Sequence, residues 1–310
     1  MPSDRPIWCL AGPTAAGKSA TCAMLAKHLP IEIVNVDSAT IYRGMDVGTA
    51  KPDAVERMQI RHHLLDILDP SESYSVGRFC QDAKDLIEAI QTRGNLPLLA
   101  GGTMMYFNAL RKGLDDLPSA NPGVRRDIEA RAKTTGWPVL HQELMRVDPV
   151  TAGRLAPHDS QRIGRALEVH IITGKPLSSL IGTGSGSPAL ANLRIISLEP
   201  SDRSVLHHRI AQRFEQMLER GLVDEVARLF ARGDLDASMA SIRCVGYRQI
   251  WDLLAGKDSL ETAREKAIAA TRQLAKRQLT WLRAMSDRIS VDCLNPDAPS
   301  RVLSIISQGV

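Results

Sequence analysis

A chain of 310 residues, 44% hydrophobic and 24% charged, has ordinary globular composition and enough length for one or two domains with large cores. No apolar run approaches membrane-spanning length and the first residues lack a signal-peptide pattern. The five cysteines, an odd number without a C-x-x-C, suit reduced thiols and exclude a disulfide framework or a zinc finger. A cytoplasmic protein with no membrane partner is expected, and a net charge of +4 permits an acidic partner without demanding one.

In chain order, Ile7-Trp8-Cys9-Leu10-Ala11 predicts a buried strand and Ser19 to Leu29 a helix, with Met24, Leu25, His28 and Leu29 at helical spacing. Between them, Gly12-Pro13-Thr14-Ala15-Ala16-Gly17-Lys18-Ser19 fits G-x-x-x-x-G-K-[ST] without a mismatch. A strand that delivers glycines into a helix start leaves unpaired backbone N–H groups aimed at one spot, where the helix dipole favours negative charge. Lys18 adds a point charge there and the Ser19 hydroxyl can hold Mg²⁺. The alternative, a glycine-rich turn with an incidental lysine, is disfavoured by the flanking strand and helix. The loop is expected to bind a group carrying two or more phosphates.

Ile31 to Val36 predicts a second strand ending at Asp37-Ser38, and ligands of doubly wound sheets lie beyond the carboxyl ends of strands. Asp37 follows the phosphate loop too closely for the usual magnesium-holding carboxylate of nucleotide enzymes. It is therefore either a contact to a second substrate or a turn-forming cap. Gly44 to Pro52 reads as a loop. The His62-His63 pair has no partner at metal-ligand spacing and is structural or substrate-contacting. Ser75 to Arg93 predicts an amphipathic helix, and Leu96 to Ala100 a third buried strand running into Gly101-Gly102-Thr103, a second glycine turn at a strand end.

Near residue 113 the character changes. Asp115 to Pro122 is a polar linker, and helices are expected around 124–133, 138–146, 149–155 and 161–173, before the flexible-looking Gly182–Pro188. Strand character returns at Arg194 to Leu198. The expected class is therefore α/β: a mostly parallel sheet flanked by helices over 1–112 and 192–310, with a helical insertion over 113–191. Nine Lys and Arg against eight Asp and Glu make the insertion no general basic patch. Ser204 to Arg220 predicts a helix whose Arg209 and Arg213, at i,i+4, face either an anion or solvent. Ser241 to Gln249 reads as a loop opening a helix. Glu261 to Met285 predicts a long helix carrying Arg272, Lys276, Arg277 and Arg283, which could track phosphates, although an exposed face is the commoner explanation.

Several stretches together resemble the bacterial tRNA dimethylallyltransferase (tRNA isopentenylpyrophosphate transferase) family. They are Gly12–Ser19, Asp37–Tyr42 with Gly48–Pro52, Gly101–Thr103 with Tyr106, Gln161–Glu168, Ile242–Gln249, and Thr271–Gln278 running to Arg283. The resemblance covers nearly the whole chain in the expected order. Ala16, where the family often has Ser, and Thr40, where many members have Gln, are departures. The resemblance implies a P-loop NTPase-like fold whose loop, similar to that of an ATP-binding nucleotide kinase, holds the diphosphate of dimethylallyl diphosphate with Mg²⁺ at Ser19. It implies a diphosphate site of Gly12, Pro13, Thr14, Ala15, Ala16, Gly17, Lys18, Ser19 and Arg213, with the amides of Thr14 to Ser19 stabilising the leaving charge. The acceptor it implies is N6 of the adenosine 3′-adjacent to the anticodon of certain tRNAs.

That amine needs a proton acceptor as it bonds to carbon, a role for Asp37 that usually contributes about 10²–10⁴ in rate. Thr14 and Arg213 are the other expected catalytic groups. By resemblance, tRNA (its anticodon stem-loop) contacts Asp37, Ser38, Ala39, Thr40, Thr103, Arg125, Gln161, Arg162, Ile163, Gly164, Arg165, Ile242, Arg243, Cys244, Val245, Gly246 and Tyr247. Phosphates are expected on Arg162, Arg165 and the 272–283 stripe. Only 4% of the chain is aromatic, which favours shape and hydrogen-bond readout over stacking platforms. A monomer is expected. The rival readings are a P-loop kinase using ATP on a nucleoside or small acid, a prenyltransferase of free adenine nucleotides, and a nucleotide-switched RNA-binding protein. The insertion counts against the second, and the missing N-K-x-D signature weakens the GTP form of the third.

Overall fold

The computed structural model describes residues 6–182, 190 and 192–309. Two compact units emerge, Met1–Arg111 with Leu190–Val310, and Lys112–Ala189. Of the segment expected to be flexible, only Gly182 lies within the described residues.

The first unit is built on β1 (Ile7–Ala11), α1 (Lys18–Ala26), β2 (Ile31–Val36), α2 (Ala54–Gln59), β3 (His62–His63), α3 (Val76–Thr92), β4 (Leu96–Gly101) and α4 (Met104–Lys112). The second unit holds α5 (Pro122–Thr135), α6 (Trp137–Val147), α7 (Pro149–Ala152), α8 (Ser160–Thr173) and α9 (Leu177–Leu180). The first then resumes with β5 (Leu193–Glu199), α10 (Arg203–Glu219), α11 (Leu222–Phe230), α12 (Tyr247–Leu254), α13 (Leu260–Arg283), β6 (Ile289–Asp292) and α14 (Ala298–Ser307).

The six strands form one sheet in the order β3-β2-β4-β1-β5-β6, and every neighbouring pair is parallel. Central strands of a parallel sheet are covered on both faces, which is why β1 reads as an unbroken apolar run and β2 is apolar apart from Glu32 and Asn35. The chain order reverses around β1, placing the crevice at its carboxyl end, where the glycine-rich loop leaves the sheet. On one face Leu10, Leu98 and Ile196 pack with Cys22 and Leu25 of α1 and Val302 and Ile306 of α14. A second core joins Phe214, Leu222, Val226, Tyr247, Ile250 and Ala267 of α10 to α13 with Ile41, Tyr42 and Met45. Among the described residues no helix is long and apolar enough to cross a membrane.

Several boundaries differ from expectation for physical reasons. α1 stops at Ala26, so His28 and Leu29 lie beyond it, in the turn leading to Pro30. α2 is closed by a capping box between Asp53 and Glu56, too short to show a periodicity. β6 and α14 complete the sheet after the last predicted helix. Glu32, inside β2, is 3% exposed and accepts from Arg93, Asn95 and His63. Its hydrogen bond with the Arg93 guanidinium leads the effects that hold its carboxyl down at about 2. His63 is therefore structural.

In the helical unit Ile128, Leu140, Leu144, Ile163 and Leu167 form the core. Glu168, also buried, accepts from the Asn121 amide and from the guanidinium groups of Arg125 and Arg165.

Candidate functional site

The phosphate loop runs from β1 into α1 with Ala15 at φ 63 and Gly17 at φ 84, so the backbone is left-handed twice within three residues. Gly17 meets no penalty there, whereas Ala15 is strained by its Cβ. This curl points the first N–H groups of α1, which have no intrahelical acceptor, into one cleft. The Lys18 ammonium folds back over the curl and donates to the Gly12 and Pro13 carbonyls at 2.9 and 2.8 Å. Ser19 is exposed at the second position of the helix.

Two further strand ends meet this loop. The Gly102 and Thr103 amides both donate to the Val36 carbonyl, at 3.1 and 3.0 Å. A Cβ on Gly101 would sit 2.0 Å from that same oxygen. Thr103 Oγ1 accepts from the Ser38 amide at 3.0 Å, so the ends of β2 and β4 present Asp37 and Thr103 side by side. Asp37 Oδ1 accepts from the Ala39 amide at 2.9 Å. The carboxylate does close a turn, and among the described residues nothing donates to its Oδ2.

Arg213, on α10, lines the same cleft, and no described residue accepts a hydrogen bond from its guanidinium. Burial lowers the pKa of Arg213 from its ordinary value, while Asp37 opposes the shift. Lys18 is pulled down to about 8, first by burial, with Asp37 opposing and Arg213 adding to the effect. Two cations are thus held close together with one carboxylate between them electrostatically, an arrangement that an anionic ligand would relieve.

The cleft encloses about 700 Å³. Thr14 to Ser19, Asp37 to Thr40, Thr103, Arg213 and Arg243 to Tyr247 all line it. Gly12 and Pro13 are buried behind the loop. Ile210, Phe214, Met217, Leu274 and Trp281 give it an apolar wall. Burial raises the Cys244 thiol to about 12, so it is a neutral lining group.

Six of the expected contact residues stand in settings that the sequence does not show. The Thr14 amide donates to Gln278 Oε1 at 3.0 Å, which leaves the hydroxyl as the polar group Thr14 can offer an anion. Ile163 and Ile242 are wholly buried in their cores, and the Tyr247 hydroxyl is bound to Glu225, so none of these side chains is free to meet a nucleic acid. Arg125 and Arg165 are committed to Glu168, and Arg165 also donates to the Pro118 carbonyl at 2.7 Å. Arg162 is the open cation of that helix, 75% exposed and paired with Asp159 at 3.2 Å. Gln161 and Gly164 lie on the same helix, in the helical unit.

Two groups to which the sequence reading assigns no role organise the site. Glu225, 2% exposed on α11, accepts from the Asp46 and Val47 amides at 2.8 Å and the Gly48 amide at 3.1 Å. Its fourth donor is the Tyr247 hydroxyl at 2.5 Å. This clamp holds the 44–52 loop, whose Gly48, Thr49 and Ala50 line the cleft. Lys51 braces the loop from behind, its ammonium buried against the Tyr42 carbonyl, Asp46 and Asp66. The second group is Gln278 of α13, whose Nε2 donates to the Gly102 carbonyl at 2.8 Å.

An all-parallel sheet with a lysine-bearing phosphate loop after its first strand defines a P-loop NTPase-like protein, here with an apolar cleft and a carboxylate facing the loop. Residues 40–285 match the family model described as IPP transferase, and the chain belongs to that family. A tRNA dimethylallyltransferase of Bordetella petrii is 59% identical over 310 residues, covering 99% of each chain. One of Burkholderia mallei is 55% identical, covering 99% of this chain and 95% of its own length. Among solved structures, the tRNA isopentenylpyrophosphate transferase of Bacillus halodurans aligns with a TM-score of 0.72 at 37% identity, over 99% of this chain and 97% of that one. A eukaryotic dimethylallyltransferase described as acting on tRNA aligns with a TM-score of 0.80 at 26% identity, over 97% and 78%.

Proposed function

We propose that this protein transfers the dimethylallyl group of dimethylallyl diphosphate to N6 of the adenosine immediately 3′ of the anticodon in certain tRNAs, releasing diphosphate. The observation that carries the proposal is the joining, in one cleft, of an anion cradle, an available carboxylate and an apolar wall. An isoprenoid tail needs such a wall.

The reaction breaks the allylic C–O bond, with its electrons leaving on the diphosphate, and forms a C–N bond from the adenine amine. Charge therefore grows on the departing oxygens, where the α1 amides, Lys18, Arg213 and the Thr14 hydroxyl are set to meet it. The amine, its lone pair spread into the purine, turns acidic as it bonds to carbon, and Asp37 Oδ2 takes the proton. The base must leave its stack to reach the cleft, as in other enzymes that do chemistry on a base.

A magnesium ion fits the chemistry of Ser19, whose hydroxyl is exposed at the helix start. Among the described residues no three His, Cys, Asp or Glu stand together as a metal site, so diphosphate oxygens and water would complete the shell, as Mg²⁺ usually requires. Bound there, it would neutralise charge on the leaving group. For tRNA, Ser38, Ala39, Thr40, Thr103 and Arg243 to Gly246 would surround the everted nucleotide. Exposed Arg272, Lys276, Arg277 and Arg283 of α13, with Arg162 of the helical unit, would contact phosphates.

The test is to incubate the protein and Mg²⁺ with unmodified tRNA and either dimethylallyl diphosphate or ATP, then digest the RNA and analyse its nucleosides by mass. A prenylated adenosine is expected from the first donor. Phosphoryl transfer from ATP without prenylation would overturn the reading. Asp37→Asn should lower turnover by about 10²–10⁴ with tRNA affinity unchanged, and near-normal turnover would remove Asp37 from the proton-accepting role.

A further inference from the structure

We infer that Gln278 is a positioning residue that sets the spacing between the diphosphate-holding loop and the Asp37 carboxylate, an inference that rests on the transfer reaction proposed above. Gln278 is 7% exposed and sits on α13, remote in sequence from both loops. Its side-chain oxygen accepts from the Thr14 amide at 3.0 Å, and its side-chain nitrogen donates to the Gly102 carbonyl at 2.8 Å. From Gly102 the connection continues in two steps. The Gly102 and Thr103 amides grip the Val36 carbonyl, and Thr103 Oγ1 holds the Ser38 amide. Asp37 lies between those two anchored residues. A single primary amide thus joins the leaving-group cradle to the carboxylate's turn by an unbroken series of hydrogen bonds.

The amide fulfils both ends at once, its oxygen meeting a donor and its nitrogen an acceptor on two separate loops. The fit is tight: a Cβ on Gly102 would lie 2.5 Å from Gln278 Nε2, so the glycine makes room for the amide. A glutamine placed merely to satisfy two buried backbone groups would affect stability alone. This one spans the two loops whose separation determines whether nitrogen, carbon and departing oxygen line up. Reacting atoms must stand about 3–3.5 Å apart, and a displacement near 1 Å costs about 10²-fold in rate.

The test compares Gln278→Met, similar in length with neither strong donor nor strong acceptor, and Gln278→Glu, which keeps the acceptor for Thr14 but loses the donor for Gly102. The readouts are the single-turnover transfer rate with both substrates saturating, KM for dimethylallyl diphosphate, tRNA affinity and the thermal midpoint. Gln278→Met should slow transfer by about 10²-fold with donor KM and tRNA affinity little changed, and Gln278→Glu should fall between it and wild type. A lowered thermal midpoint with an unchanged transfer rate would assign Gln278 a purely structural role and overturn the inference. A raised donor KM at unchanged rate would overturn it too, making Gln278 a ground-state binding contact. If Gln278→Met fails to fold, the rate of Gln278→Glu decides alone. Wild-type protein that transfers no dimethylallyl group sinks the underlying reading, whereas active wild type with equally active variants sinks only the role of Gln278.

Discussion

Replacing Glu225 by glutamine tests whether one buried carboxylate shapes the cleft from outside it. In the native protein two donors meet each carboxylate oxygen: Asp46 and Val47 amides on one, the Gly48 amide and Tyr247 hydroxyl on the other. A glutamine oxygen can serve only one of these pairs. If it keeps Asp46 and Val47, its NH₂ faces Gly48 and Tyr247. The tyrosine hydroxyl can turn to accept, but the Gly48 amide is left unpaired, in a place so tight that a Cβ on Gly48 would lie 2.5 Å from the Tyr247 ring. Losing one charge-assisted bond and weakening the others to neutral strength sums to about 3–5 kcal/mol. Urea unfolding of Glu225→Gln should show that loss, and kcat/KM for the prenyl donor should fall because Gly48, Thr49 and Ala50 line the cleft. Tyr247→Phe removes one donor and leaves the three amides held, so it should cost about 1–2 kcal/mol. A Glu225→Gln loss below about 1 kcal/mol would mean that the loop amides find other partners, and would refute the clamp.

The Lys18 ammonium, pulled down to about 8, binds fewer protons in the folded chain than in the unfolded one between that value and its ordinary 10.5. Its own contribution to stability therefore rises with pH across that window. A bound diphosphate favours the charged form, so donor affinity should fall as pH passes 8, with proton uptake on binding. Calorimetry at about pH 8.5 in two buffers of different ionisation heat checks this, and absence of uptake would refute it. For tRNA, Arg162→Gln should reduce the salt slope of affinity by about 1, measured by titration at several ionic strengths. Arg165→Gln, which undoes a bond to buried Glu168, should instead lower the melting temperature of the protein.

What the sequence made legible was local. Gly12 to Ser19 is readable because glycine, lysine and hydroxyl must occupy fixed places in one turn. Asp37 and Gly101-Gly102 were readable because parallel strands place their ligands at their ends. Asp37 does close a turn through one carboxylate oxygen, while the other faces no described donor. What stayed hidden depends on partners far along the chain. Glu225 lies in an amphipathic helix where acidic residues normally meet solvent, and nothing near it in sequence announces three amides from residues 46 to 48. Gln278 ends the Thr271–Gln278 stretch that carries the resemblance, but nothing beside it in α13 names the two backbone groups it meets. Arg165 looked like a phosphate contact because its destination, Glu168, reads as an ordinary i,i+3 surface neighbour until burial is known. β6 is hidden because Ile289-Ser290-Val291-Asp292, although it alternates apolar and polar, is too short a run to mark a strand on its own.

Gly101 limits how this enzyme could ever be altered. Adding even one carbon would wedge apart β2 and β4 just where Asp37 and Thr103 follow their ends. Their alignment is written as a missing methyl, and a saturation library at that codon should return glycine alone among active clones.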